Sequence, residues 1–512
     1  MTLSRRCLPA ALVLMMSLSA FAGKVTFQNH ADNAVTSGDS SFYHADFNND
    51  GREDLAYIYQ PSGTSNGTFD VEFSDSTANG DAGLYNGQTS YQVPLYNGSP
   101  DVIAQLALGD FNHDGSIDIA AFAVDSGNVY IYLNDGTGTF SLGGTYSFGP
   151  AGGTIGSVSA TVADFNHDQI YDLAFIVNGR LNIWLGNSKG GFTPALSEPV
   201  SGQNLAMGDF DGDGHADLLI YGDPAAISSA HVYFGDGTGQ FPQSITLSLP
   251  EGYAAFSEGD VNTDGKMDVI AVDPSVSSNR IYVFYGDSSR KFSNRTSIPA
   301  ARCLADVPVQ VADVDGNGQN DLIFEDFDCG IPNTGPLYVD VLTRNPDSSY
   351  NPHQTVYWSM IGIDASSSLK IDQPPIVWNA DQNSLPDILV QQCAVADCSS
   401  HFDTTLYNAT GGPNPTCIVP LTSSGIDICS PPSGNAGDSP VNFQVAAAGT
   451  VLMRDIEVWV DGEKLAEQRD GFSYYTFLNT SLSLSPGTHN VTIAAAGWDQ
   501  STEKKSFTID VQ

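Results

Sequence analysis

The residues of this chain with the clearest chemistry are aspartates at fixed spacing. The pattern Asp-x-Asp/Asn-x-Asp-Gly-x-x-Asp begins at Asp46, with Asn48, Asp50 and Asp54 at its third, fifth and ninth positions. It returns as Asp110, Asn112, Asp114 and Asp118, then as Asp164, Asn166, Asp168 and Asp172. Further copies are Asp209, Asp211, Asp213 and Asp217; Asp260, Asn262, Asp264 and Asp268; and Asp313, Asp315, Asn317 and Asp321. A worn seventh copy offers Asn379, Asp381, Asn383 and Asp387. Carboxylate and amide oxygens gathered so closely suit a hard cation that takes six to eight oxygens, and calcium is the ion expected. Position 7 adds a backbone carbonyl, from Arg52, Ser116, Ile170, His215, Lys266 and Gln319 in the six good copies. Glycine at position 6 permits the sharp turn that aims these oxygens inward.

A single such loop would read as an Asx-rich turn. Six copies with acids at identical offsets do not, because unneutralised carboxylates a few ångströms apart repel. The seven loops place 21 aspartates at ligand positions, and seven divalent ions would bring the formal net charge from −40 to about −26. An EF-hand loop also begins this way, but it needs an acid at position 12. Here position 12 is Tyr57, Ala121, Phe175, Ile220, Ala271 and Phe324. Zinc and copper are disfavoured, since no sulfur or imidazole stands at a ligand position. Two copies depart. The third has Gln169 at position 6 with its carboxylates complete, and weaker binding is expected. The seventh has Ser384 at position 6, Pro386 at position 8 and only two acids.

The elements that must position these loops are strands. The loop starts lie 64, 54, 45, 51, 53 and 66 residues apart, a period typical of arrayed supersecondary units. Ile119–Val124 and Leu218–Tyr221 follow their loops as apolar strand text. Val129–Phe140, Leu181–Phe192 and Val232–Phe241 then end in glycine-rich turns and a phenylalanine, a hairpin signal. Each repeat thus holds about four short strands, one propeller blade.

On these motifs, residues 24–412 resemble the FG-GAP/VCBS repeats, the blade type of the integrin α-subunit propeller and of many bacterial exported proteins. The resemblance implies an all-β fold: a seven-bladed β-propeller over 23–412, loaded with calcium at the positions named above. Lys24–Gln28 precedes the first loop without a blade of its own, and the last repeat lacks an outer strand. The N-terminal strand is therefore expected to complete the last blade. Residues 413–512 lack the loop and alternate like a β-sandwich, with strands at Val441–Val445, Ile456–Val460, Tyr474–Leu478, His489–Ala494 and Ser506–Val511. They resemble the broad bacterial Ig-like class.

Residues 1–22 read as an export signal, with Arg5 and Arg6 before a short apolar run and Ala20-Phe21-Ala22 as the cleavage pattern. A twin-arginine signal is the alternative. No later run is long enough for a membrane helix. The protein is expected outside the cell, at its surface or in the periplasm. Cys303, Cys329, Cys393, Cys398, Cys417 and Cys429 survive processing, and an even number in an exported chain suggests disulfides. Nearest-neighbour pairing gives 303–329, 393–398 and 417–429, one of fifteen connectivities. With 19 basic and 59 acidic residues, the chain is unsuited to nucleic acid.

Two uses follow. The first is a calcium-stabilised module that binds or adheres to an extracellular protein or glycan. The second is a polysaccharide-active enzyme, lyase or hydrolase, built on the propeller. For the second, Gly63-Thr64-Ser65-Asn66-Gly67 matches a nucleophile pattern, but it lies in a Ser/Gly/Asn-rich loop with no helix following. His113, His167 and His215 fall at non-ligand side-chain positions of their loops and read as solvent-facing spacers. No catalytic residue is nominated.

Overall fold

The computed structural model describes residues 25, 27–29, 33–35, 42–49, 54–59, 67–74, 85–149, 155, 157–226, 228–249, 255–275, 279–315, 317, 319–327, 337–359, 375–378, 386–393, 401–408, 425–431, 434, 439–497 and 502–512. The export signal of 1–22, Asp50, Arg52, Asn379, Asp381 and Asn383, and Cys329, Cys398 and Cys417 lie outside them. Among the described residues there is no helix, hence none long and apolar enough to cross a membrane.

Seven antiparallel sheets of four or five strands succeed one another from Phe27 to Asn408. The second is typical, built from Ile103–Gly109, Asp118–Ala123, Asn128–Asn134 and Phe140–Ser147 in spatial order. Its second strand is buried along its whole length, and its fourth alternates toward solvent. That gradient explains the sequence text: β-branched and small apolar residues inside, threonine, serine and glycine outside. Cys303, at the edge of the sixth sheet, is buried and disulfide-bonded.

Six apolar clusters each draw on two successive sheets. Phe122, Phe175 and Trp184 join the second sheet to the third, and Phe210, Phe234 and Phe256 the fourth to the fifth. Their rings meet edge-on or tilted, as Phe175 and Trp184 do at 5.1 Å. The sheets therefore stack face to face in chain order. The expected strand exchange is present. Phe27–Asn29 pairs antiparallel with His401–Asn408, Phe27 opposite Asn408, and becomes the outer strand of the sheet formed by Ile376–Trp378, Asp387–Cys393 and His401–Asn408.

A further five-stranded sheet occupies Gly425–Ser430, Val441–Val460, Glu463–Leu482, Gly487–Gly497 and Thr502–Val511. The segments read separately as Val441–Val445 and Ile456–Val460 belong to one 20-residue strand. Its pairing with Glu463–Leu482 shifts register between Ala448 and Met453, and its other edge takes Gly425–Ser430 at one end and Gly487–Gly497 at the other. Phe443, Val445, Ile456 and Val458 nonetheless share one core, with Val491 and Ile509. The Asp461-Gly462 turn is present, both residues at positive φ.

Candidate metal centres

In all seven sheets the acidic loop closes the hairpin between the first and second strands, and the register is the same each time. The residue before position 1 pairs with the aspartate at position 9: Ala45 with Asp54, Gly109 with Asp118, Ala163 with Asp172, Gly208 with Asp217, Gly259 with Asp268, Ala312 with Asp321 and Trp378 with Asp387. The worn seventh copy keeps this framework.

The loop wraps its own carboxylates around its own amides. In the second copy Asp110 Oδ1 accepts from Asp114 N (3.0 Å) and Oδ2 from Gly115 N (2.8 Å), while Asp114 Oδ1 accepts from Ser116 N (2.9 Å). The third, fourth and fifth copies repeat these bonds. Two positions are left-handed rather than one. Position 6 has φ 91° at Gly115, and Gln169 adopts φ 70° there despite its side chain. Position 4 is left-handed too, at Asn49, His113, His167 and Thr263. The sequence reading found only the first of these demands.

The ninth aspartates form a class apart. Asp54, Asp118, Asp172, Asp217, Asp268, Asp321 and Asp387 are fully buried. Asp118 Oδ2 accepts from Phe111 N at 2.9 Å, inside its loop. Asp118 Oδ1 accepts from Asn134 N at 2.8 Å, at the end of the third strand. Asp172, Asp217, Asp268 and Asp321 do the same with Gly186, Gly235, Gly286 and Arg344. Burial pushes Asp118 and Asp172 up to about 6, and Asp217, Asp268 and Asp321 up to about 7. The two amide donors pull the other way, and the loop's remaining carboxylates push further up.

These environments fit a divalent cation. Two oxygens on one calcium, each at about 2.4 Å, stand at most about 4.8 Å apart. Asp209, Asp211 and Asp217, and likewise Asp313, Asp315 and Asp321, bring one oxygen each within 4.8 Å of one another. In the other copies the third-position amide faces the fifth-position acid: Asn112 Nδ2 to Asp114 Oδ2 at 2.8 Å, Asn166 to Asp168 at 3.1 Å, Asn262 to Asp264 at 3.2 Å. Asn317 faces Asp315 at 3.0 Å. In the first copy Asp46 and Asn48 are half-buried at the loop mouth, and Asp387 alone represents the seventh among the described residues.

Each of the first six loops is also tied to the sheet that follows. Asn134 Nδ2 donates to Phe47 O (2.8 Å), Gly190 N to Phe111 O (3.1 Å) and Gly239 N to Phe165 O (2.8 Å). Met267 N donates to Asp209 O (2.8 Å), Asn320 Nδ2 to Asp260 O (2.6 Å) and Asn408 Nδ2 to Val314 O (2.8 Å). His167 and His215 are not the spacers expected. His167 Nε2 bonds Gly214 O at 2.9 Å, and the two rings meet edge-on at 4.6 Å, joining the third loop to the fourth.

Sequence reasoning missed one polar cluster, on the sixth sheet. Arg302 Nη1 bridges Asp326 Oδ1 (3.0 Å) and Asp340 Oδ2 (2.9 Å), and Nη2 reaches Thr355 Oγ1 (2.9 Å). The guanidinium lies 3.9 Å from the Tyr338 ring centre, and His353 Nδ1 is 2.5 Å from Asp340 Oδ2. Asp326 and Asp340 are fully buried. Burial and the Asp340 charge push Asp326 up to about 8, against the pull of Arg302. Its members are scattered from 302 to 355 with no motif spacing, so only the fold assembles them.

The family model for FG-GAP-like repeats matches residues 110–175, 164–220 and 260–324, so the chain carries such repeats there. Integrin alpha-PS3 of Drosophila melanogaster is 25% identical over 159 residues. That match spans 27% of this chain and 14% of the relative's length. Among solved structures, an Agrocybe aegerita lectin specific for non-reducing terminal N-acetylglucosamine covers 65% of this chain and 94% of its own, at TM-score 0.45 and 15% identity. Fibronectin(III)-like modules of Clostridium thermocellum CbhA cover 17% of this chain and 97% of their own, at TM-score 0.15 and 16% identity.

Proposed function

We propose that the protein is an exported calcium-binding module that engages an extracellular protein or glycan. In this reading residues 23–412 form a seven-bladed propeller and 413–512 an Ig-like domain. The observation that carries it is the loop register, repeated in seven consecutive sheets around a buried ninth aspartate, with two further carboxylates converging on it in the fourth and sixth loops. The FG-GAP-like repeats and the likeness to an integrin α-chain support an extracellular adhesive role. Side chains at positions 1, 3, 5 and 9, with the carbonyl of position 7, would hold the ion. The ion would supply positive charge that cancels the loop acids. The loop's own residues hold the first hairpin of each sheet and, through their carbonyls, the next sheet. The disulfide at Cys303 is assigned to Cys329 on proximity in sequence.

A second reading, a polysaccharide-active enzyme, is favoured by the paired carboxyls Asp326 and Asp340, of which burial and the neighbouring charge push the first up to about 8. One experiment separates the two. The protein is run on protein and glycan arrays with calcium and with chelator. Specific capture lost on chelation supports the binding reading. Polysaccharide turnover abolished by Asp326→Asn and Asp340→Asn, without stable capture, supports the second.

A further inference from the structure

The fourth loop has the most acid and is, on charge alone, the strongest cation site. Its cation is already present in the chain. Arg290, from the turn after the third strand of the fifth sheet, donates from Nε to Asp211 Oδ2 and from Nη2 to Asp213 Oδ2 at 2.8 Å. The other oxygens of these acids are occupied by the loop, Asp211 Oδ1 by Asp213 N (3.0 Å) and Asp213 Oδ1 by His215 N (2.9 Å). Arg290 is held in place from several sides. Nη1 donates to Gln243 Oε1 at 3.0 Å, the guanidinium carbon lies 5.0 Å from the Phe234 ring centre, and the backbone is fixed at φ 60° by Arg290 N to Asp287 O.

The second and third loops differ in kind. There the partner of the fifth-position acid is an asparagine amide. An amide carries an oxygen as well as donors, so it turns to serve an ion. A guanidinium carries donors alone and a fixed charge. An ion seated on Asp211 and Asp213 would meet that charge at close range.

We infer that Arg290 is a built-in cation that closes the fourth loop to calcium, so that this loop is organised without metal while the second and third loops depend on it. This rests on the reading that the other loops bind calcium. The test is native mass spectrometry of the full chain at fixed free calcium, counting ions on wild type, Asp209→Asn, Asp110→Asn, Arg290→Gln and Arg290→Lys. The expected result is one ion lost from Asp110→Asn, none lost from Asp209→Asn, and one gained by Arg290→Gln but not Arg290→Lys. Loss of one ion from Asp209→Asn as well overturns the inference, as does a folded Arg290→Gln that gains none. If Arg290→Gln does not fold, the two aspartate variants decide alone. Wild type without any ion would instead remove the calcium reading itself.

Discussion

Asp118→Ala isolates what a ninth aspartate does apart from any ion. The substitution removes the acceptor of two backbone amides, Phe111 N at 2.9 Å and Asn134 N at 2.8 Å. The carboxylate is fully buried, so water does not replace it. Each buried donor left unmade costs about 1–3 kcal/mol, so the pair costs about 2–6 kcal/mol. Asp110→Ala is the control. It also removes a loop acid, but its amide partners at Asp114 and Gly115 are exposed to water, and the cost is about 1 kcal/mol or less. The assay is urea unfolding in excess chelator, combined with hydrogen exchange at the Phe111 and Asn134 amides. Chelator matters because a residue that is only a ligand is then idle, and its loss relieves repulsion. Asp118→Ala is expected to destabilise strongly without metal and to lose protection at both amides. Equal, small effects of the two variants in chelator would refute the buried-staple argument.

In chelator, stability is expected to fall as pH rises from about 4 to about 7. The folded pKa values of Asp118, Asp172, Asp217, Asp268 and Asp321 lie at about 6–7, above the ordinary carboxylate value. The folded state therefore binds more protons across that window. Calcium should flatten this dependence, and thermal melts from pH 4 to 8 with and without the ion check it. Asn134→Ala removes a side-chain amide that donates to both Phe47 O and Ile117 O, and is expected to cost about 1–3 kcal/mol. Exchange rates should rise in the first sheet as well as the second. Arg302→Ala strands Asp326 and Asp340 as buried acids and is expected to cost about 3–5 kcal/mol, seen in urea melts. Adding Asp326→Asn should recover part of that loss.

The loops were legible because their chemistry is local. Nine residues fix the spacing, the turn and the strand that follows, and repetition removes the ambiguity of any one copy. What was not legible depends on partners far away in the chain. The ninth aspartate reads as one more ligand, yet Asp118 is pinned by an amide 16 residues on. The left-handed turn at position 4 is invisible because histidine, asparagine and threonine all accept it there. Arg290 lies 77 residues from Asp213, in a turn whose sequence says nothing of a loop one sheet back. Likewise Val441–Val445 and Ile456–Val460 look like two strands, because the intervening residues break the alternation where the pairing shifts register within one sheet.

The pairing of Phe27 with Asn408 has a consequence for how the chain is made. Phe27–Asn29 must wait, unpartnered, for a segment synthesised about 380 residues later. Until then the edge of His401–Asn408 has no neighbour, and the start of the chain is free to be captured by another copy or cut by a protease. Trimming through Phe27–Asn29 would thus undo the seventh sheet, and a passenger fused before it would hang from that sheet's outer strand.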